Sequence, residues 1–126
     1  MTDLNAPSIV QEATFRAAII QYAPANRGEL LNIGVMSKRG AVTAVQFLDD
    51  WTRVLRAFPR LDVRHLTAVA AEVSYHIAIS SDRDDVYDVA RRAVGVYTDF
   101  GWRTYVGQAN NLHDGVARVF QQAVAP

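Results

Sequence analysis

Residues 30–51 read LLNIGVMSKRGAVTAVQFLDDW, and the change of period inside this stretch decides the fold class. Leu31, Ile33 and Val35 alternate with Asn32, Gly34 and Met36, which predicts a strand with one apolar face. Lys38, Arg39 and Gly40 supply a short polar turn, and AVTAVQFL over 41–48 predicts the next strand. A connection this short joins antiparallel neighbours. At Asp49 the period lengthens: Trp51, Val54, Leu55 and Phe58 fall at i, i+3, i+4 and i+7. That is one stripe of a short helix, with Asp49 or Asp50 as its cap and Pro59 as its stop.

Working outward, TFRAAIIQY over 14–22 is a preceding strand, with Phe15, Ala17 and Ile19 on one face and Ala18, Ile20 and Tyr22 on the other. The segment APANRGE over 23–29 is turn chemistry, and residues 1–12, with Pro7 and little periodicity, read as a flexible arm. Downstream, Asp62 is placed to cap a second helix whose stripe is Leu66, Val69, Ala70, Val73 and Ile77, with Leu61 and Leu66 as a hydrophobic staple. SSDRDD over 80–85 resets the chain. Ser81 or Asp82 is the expected cap of a third helix running to about Tyr97. Gly101 is expected to break the pattern before WRTYVGQ over 102–108, a fourth strand. Leu112, Val116, Val119, Phe120 and Ala123 have the spacing of a closing helix.

The expected architecture is therefore α+β, an antiparallel sheet of three to four strands with about four helices packed mainly on one face. Residues 13–126 read as a single domain, a size that matches the 126 residues and 50% hydrophobic content. Helices confined to one face would leave a sheet edge, or the second face, open to a partner or a second copy of the chain.

Thirteen basic residues balance thirteen acidic ones, and neither sign forms a block, which disfavours a dedicated nucleic-acid or anionic-membrane binder. The absence of cysteine removes disulfides, thiolate metal sites and cysteine nucleophiles. With no apolar run approaching ~20 residues and no signal-peptide pattern at the start, no membrane association and a cytoplasmic location are expected. Arg53, Arg56, Arg60 and Arg64 continue around one polar side of the helical region. Nucleic-acid binding there is the third functional reading, behind a solvated helix face.

Three stretches carry a family resemblance: FRAAIIQYAPANRGELLNIGVM, AVQFLDDWTRVLRAFP and RTYVGQANNLHDGVARVFQQAV. In this order they resemble the bacterial domain of unknown function 3037 family. Arg27, Gly28, Glu29, Asn32, Gly34, Asp50, Trp51 and Arg53 match its pattern. The resemblance implies the segment order and a bacterial or bacteriophage setting, and it assigns no activity, cofactor or residue role.

The residues themselves offer one candidate site. Arg27, Glu29, Asn32, Asp50, Trp51 and Arg53 fall near the start of strand two and the end of strand three, which a meander brings to one end of the sheet. Arg27 can grip a carboxylate or phosphate, with Glu29 or Asp50 as base or cation ligand. Turn formation and capping explain the same residues, and no nucleophile accompanies them. His65 and His76 lie roughly 16 Å apart along one helix, too far to share a metal, and Glu72 with His76 has the i, i+4 spacing of a surface pair. His113 has a cap or solvent-facing role available. No metal-binding or phosphate-loop signature is present, so neither metal nor cofactor is expected. The leading functional expectation is a non-enzymatic interaction module that binds a protein partner, as a bacterial or mobile-element accessory or inhibitor. The alternative is a ligand-binding protein or enzyme using the polar sheet end.

Overall fold

The computed structural model describes residues 12–24 and 30–125. Among them the element order is β1 (Ala13–Tyr22), β2 (Leu31–Arg39), β3 (Val42–Phe47), α1 (Thr52–Ala57), α2 (Val63–Ala78), α3 (Val86–Ala93), β4 (Phe100–Ala109) and α4 (Leu112–Val119), which continues into a π-helical turn (Phe120–Val124). The strands form one antiparallel sheet in the order β3-β2-β1-β4. This is the expected α+β arrangement, with β4 added beside β1.

β1 occupies an inner position and is buried on both faces. Ala18, Ile20 and Tyr22 join the core beneath α1, α2 and α3. Phe15, Ala17 and Ile19 join a second core beneath α4 and the π-turn. The alternation expected of this strand is therefore present, each face meeting its own helical layer. Three helices cover one face as anticipated, but the other face is also covered, because α4 folds back across it. Among the described residues, what remains without a neighbouring strand is the outer edge of β3 and that of β4.

β2 departs from its simple alternation. Ile20 pairs with Gly34 and Gln21 with Asn32, so Ile33 is an extra residue in β2, a β-bulge. The bulge reverses the parity of the strand. Leu31, Ile33 and Met36 face the α2 and α3 side, whereas Val35 faces α4. The single apolar face of Leu31, Ile33 and Val35 expected from the sequence is thus divided between the two cores, and Asn32 and Gly34 do not share a side.

Gly34 pairs with Phe47 across the β2–β3 ladder. A Cβ at this glycine would run into the Phe47 ring, so the ring occupies the space that a side chain would take. The hairpin turn itself is Gly40 and Ala41, with Gly40 at φ 59°, a left-handed conformation that glycine adopts without strain. Lys38 and Arg39, expected in the turn, belong to the strand instead.

The helices begin where acceptors meet free N–H groups. Asp62 caps α2 by accepting from the Arg64 N–H at 2.9 Å, and Leu66, Val69, Val73 and Ile77 are buried along its stripe. α3 is capped by Asp85 rather than by Ser81 or Asp82. Its carboxylate accepts from Tyr87 and Asp88, and Asp88 returns a bond to the Asp85 N–H, a reciprocal box. Ser81 holds the preceding turn, accepting from the Arg83 and Asp84 N–H groups. Gly101 sits inside β4 rather than interrupting it. The arm expected over residues 1–12 lies outside the described residues except for Glu12, which pairs with Arg118 at 3.2 Å. No helix among the described residues is long and apolar enough to cross a membrane.

Gly34→Ala is expected to destabilise the fold by about 1–3 kcal/mol, because the added methyl displaces a packed ring. In a Phe47→Ala background the same substitution should cost much less. Urea unfolding of the two singles and the double gives the coupling, and additive effects would contradict the close approach.

Candidate functional site

The end of the sheet where β2 starts and β3 stops carries most of the residues singled out in the sequence. The Leu48 N–H donates to the Ile33 carbonyl at 3.0 Å, so the two chain segments are adjacent as a meander requires. Gln21 donates to the Asn32 side-chain oxygen at 2.9 Å, and the Asn32 amide donates onward to the Ala123 carbonyl at 3.0 Å. The Arg53 guanidinium donates to the next carbonyl, that of Val124. These carbonyls close a helix and have no acceptor role left within it. Asn32 and Arg53 satisfy them, and a cation at a helix C-terminus also suits its dipole.

Asp50 accepts from the Thr52 hydroxyl at 2.5 Å and the Thr52 N–H at 3.0 Å. These two bonds, the hydroxyl foremost, hold its carboxyl below the usual 3.8. The same bonds hold the turn just ahead of α1, whose N-cap position is Trp51 rather than the expected Asp49 or Asp50 and carries no side-chain cap. Trp51 packs against the core beneath α2. Leu48, Asp49, Asp50, Arg53, Arg56 and Phe120 line a shallow pocket of about 350 Å³ here. Asn32, Asp50, Trp51 and Arg53 therefore gather around one end of the sheet, but the first, second and fourth have structural hydrogen bonds and Trp51 is packing. Arg27 and Glu29 lie outside the described residues.

The histidines divide as their positions suggest, with one addition. His76 and Glu72 form a half-exposed pair at 3.7 Å, and His113 is exposed on α4. His65 Nε2 lies 3.1 Å from Asp99 Oδ2, with its ring edge-on to Phe100 and Tyr97. The pair ties the start of α2 to the start of β4. Sequence reading missed it because the partners are 34 residues apart and neither belongs to a motif. Burial, and then the Glu72 and Asp99 charges, push the Tyr97 hydroxyl above its usual 10.0. Among the described residues no group of three or more His, Asp or Glu side chains is disposed to hold a metal. The arginine row is exposed, yet Arg53 is engaged with Val124 and Arg64 with Asp62 at 3.3 Å.

A different surface stands out at β4. The Ala23 N–H donates to the Asp99 carbonyl at 2.8 Å, which fixes the phase of the β1–β4 ladder. In an antiparallel pair the backbone groups of alternate residues point away from the partner. Here those residues are Trp102, Thr104, Val106 and Gln108. The Gln108 carbonyl accepts from Arg118 at 2.7 Å, as an outward group can. Nothing among the described residues pairs with the outward backbone groups of Trp102, Thr104 and Val106. On the side chains, Trp102 stacks on Tyr87 at 5.6 Å, and Val106 is 62% exposed. β3 is the opposite edge, but it is six residues long and α4 packs against it.

Residues 18–100 match the family described as protein of unknown function (DUF3037), and the chain belongs to that family. No curated protein and no solved structure matches it.

Asn32→Ala leaves the Ala123 carbonyl and the buried Gln21 amide without their partner, and is expected to cost about 1–3 kcal/mol. Amide exchange over residues 120–125 should accelerate in that variant, and unchanged exchange would contradict the tie. Asp50 gives a pH test. Its carboxyl is lowered in the folded state, so its contribution is present above 3.8 and is lost as pH falls through the lowered folded value. Acid unfolding of Asp50→Asn should therefore fall less steeply below pH 3.8 than that of the parent.

Proposed function

We propose that this member of the DUF3037 family is a non-enzymatic interaction module, residues 13–126 forming one domain, that binds a protein partner by taking up an added strand along β4. The carrying observation is the ten-residue edge strand whose outward backbone groups at Trp102, Thr104 and Val106 are unpaired among the described residues. Such a row of donors and acceptors is a template for another chain. Proteins that avoid edge pairing place lysine, proline or bulges along it. Along Phe100–Ala109 the one charged side chain is Arg103, and Arg118 blocks the edge only at Gln108.

Main-chain hydrogen bonds would supply affinity, and the side chains flanking the edge would select the sequence. On the α3 side the guest strand would meet the Trp102 and Tyr87 stack and exposed Val106. On the α4 side it would meet Arg103 and Tyr105. The alternative of a ligand or catalytic cleft at the opposite sheet margin is weakened by the engagement of Asn32 and Arg53 with helix carbonyls.

Thr104→Pro tests this reading. The Thr104 N–H points outward, so proline removes an edge donor without removing a β1–β4 bond. A partner recovered from the native cells should bind the variant at least about 10-fold more weakly, the equivalent of one to two lost hydrogen bonds. The amides of Trp102, Thr104 and Val106 should gain exchange protection in the parent complex. Equal binding by a folded Thr104→Pro protein, protection confined elsewhere, or no recoverable partner would each overturn the proposal.

A further inference from the structure

The sheet end opposite Asn32 and Arg53 holds a second pocket, of about 370 Å³, between the start of β1, the β2–β3 hairpin and the turn before α3. Arg16, Lys38 and Arg39 line it together with Asp82, Asp84 and Asp85. We propose that it binds a small anion carrying one carboxylate or phosphate group, with Lys38 as the principal ligand.

Lys38 is the reason. It is 7% exposed, and the hydrogen bond of its ammonium among the described residues goes to the neutral Gly40 carbonyl. An ammonium has three donors, and burying one without a paired anion is unfavourable. Arg39 beside it is exposed, and its guanidinium donates to the Thr14 carbonyl at 2.8 Å. Two adjacent cations thus share a pocket while bonded to neutral acceptors.

Two of the pocket's three carboxylates are otherwise engaged. Asp85 accepts from the Tyr87 and Asp88 N–H groups at 2.8 and 2.9 Å and lies 3.7 Å from Arg16. Asp84 accepts from Arg92 at 2.7 Å, and that bond, ahead of the weaker field of Lys38, keeps its carboxyl below the usual range. Neither makes an ion pair with Lys38. Asp82 and Arg83 are exposed at the margin. An incoming carboxylate or phosphate oxygen would give Lys38 and Arg39 the charged acceptor they lack.

The same aspartates set the ligand class. Three carboxylates around the pocket repel an extended polyanion, so a nucleic-acid backbone or a polyphosphate is disfavoured. A compact ligand with a single anionic group can reach Lys38 while keeping its distance from Asp82. The volume lies within the range of small-molecule sites.

Amide spectra of the intact chain, titrated separately with sodium acetate and inorganic phosphate at constant ionic strength, test this. Saturable shifts confined to Lys38, Arg39, Gly40 and residues 82–85 are expected with at least one anion, and the one that saturates identifies the group. Lys38→Met keeps the buried stem without the charge, and should weaken binding about 10-fold or more, whereas Arg91→Gln, on exposed α3 surface, should not. If Lys38→Met does not fold, Arg39→Gln takes its place, and a weaker but measurable loss is expected. Non-saturating shifts with both anions, shifts spread over all surface cations, or equal affinity in the charge-removed variant would overturn the proposal.

Discussion

The bulge at Ile33 is the constraint on which the rest of the structure depends. β1 is buried on both faces, so its neighbour β2 has to distribute side chains between two cores rather than one. Because side chains alternate with a period of two, one extra residue transfers everything beyond it to the opposite face. With the bulge, Ile33 and Met36 both serve the α2 and α3 core, and Val35 serves the α4 core. Asn32 is carried to the α4 side, where the Ala123 carbonyl accepts from it. Regular pairing would have turned that amide toward an apolar layer offering it no such acceptor. An unpaired amide there would cost several times what a surface one does.

The polar residues at that sheet end and the closing helix explain one another. α4 packs Leu112, Val116 and Val119 on the sheet and then widens into a π-turn that buries Phe120 and Val124. A helix that ends against a protein surface leaves carbonyls in need of donors. Asn32 from β2 and Arg53 from α1 provide them, joining three segments distant in sequence. Asn32 and Arg53, for which the sequence offered both a structural and a chemical reading, thus help to close this helix.

The legible part of the fold was the part encoded locally. The alternation in β1, the stripe of α2, the Asp62 cap and the change of period at Asp49 each reside within a few residues, and each appears in the structure. What was not legible depended on pairing. The Ile33 bulge leaves no mark in β2 alone, since LLNIGVM alternates acceptably by itself. Asp85 displaced Ser81 and Asp82 as the α3 cap because all three are good acceptors and only the preceding turn decides between them. The His65 and Asp99 contact and the outward phase of β4 both require knowing which distant segments are neighbours. The family pattern, by contrast, was recognisable because its residues cluster over 27–34 and 50–53, inside the matched span 18–100.

The hairpin pocket and the β4 edge, the two surfaces with unmet bonding capacity among the described residues, are linked through α3. Arg16 sits over the Tyr87 ring at 5.3 Å, and the same ring stacks with Trp102 on β4. The Tyr87 hydroxyl donates to the Tyr105 carbonyl at 3.1 Å, fixing the ring across the β4 backbone. Arg16 also faces Asp85, the α3 cap, so the cap, the cation and the aromatic pair form one continuous line from the hairpin pocket to the sheet edge. A cation over an aromatic face contributes of order 0.5–1 kcal/mol at an exposed site, and an offset aromatic pair about 0.5–1.5 kcal/mol. Energies of that size hold the edge side chains in one arrangement without burying them. They support β4 from one face, away from the outward backbone groups that are unpaired among the described residues, an arrangement suited to the added strand proposed above.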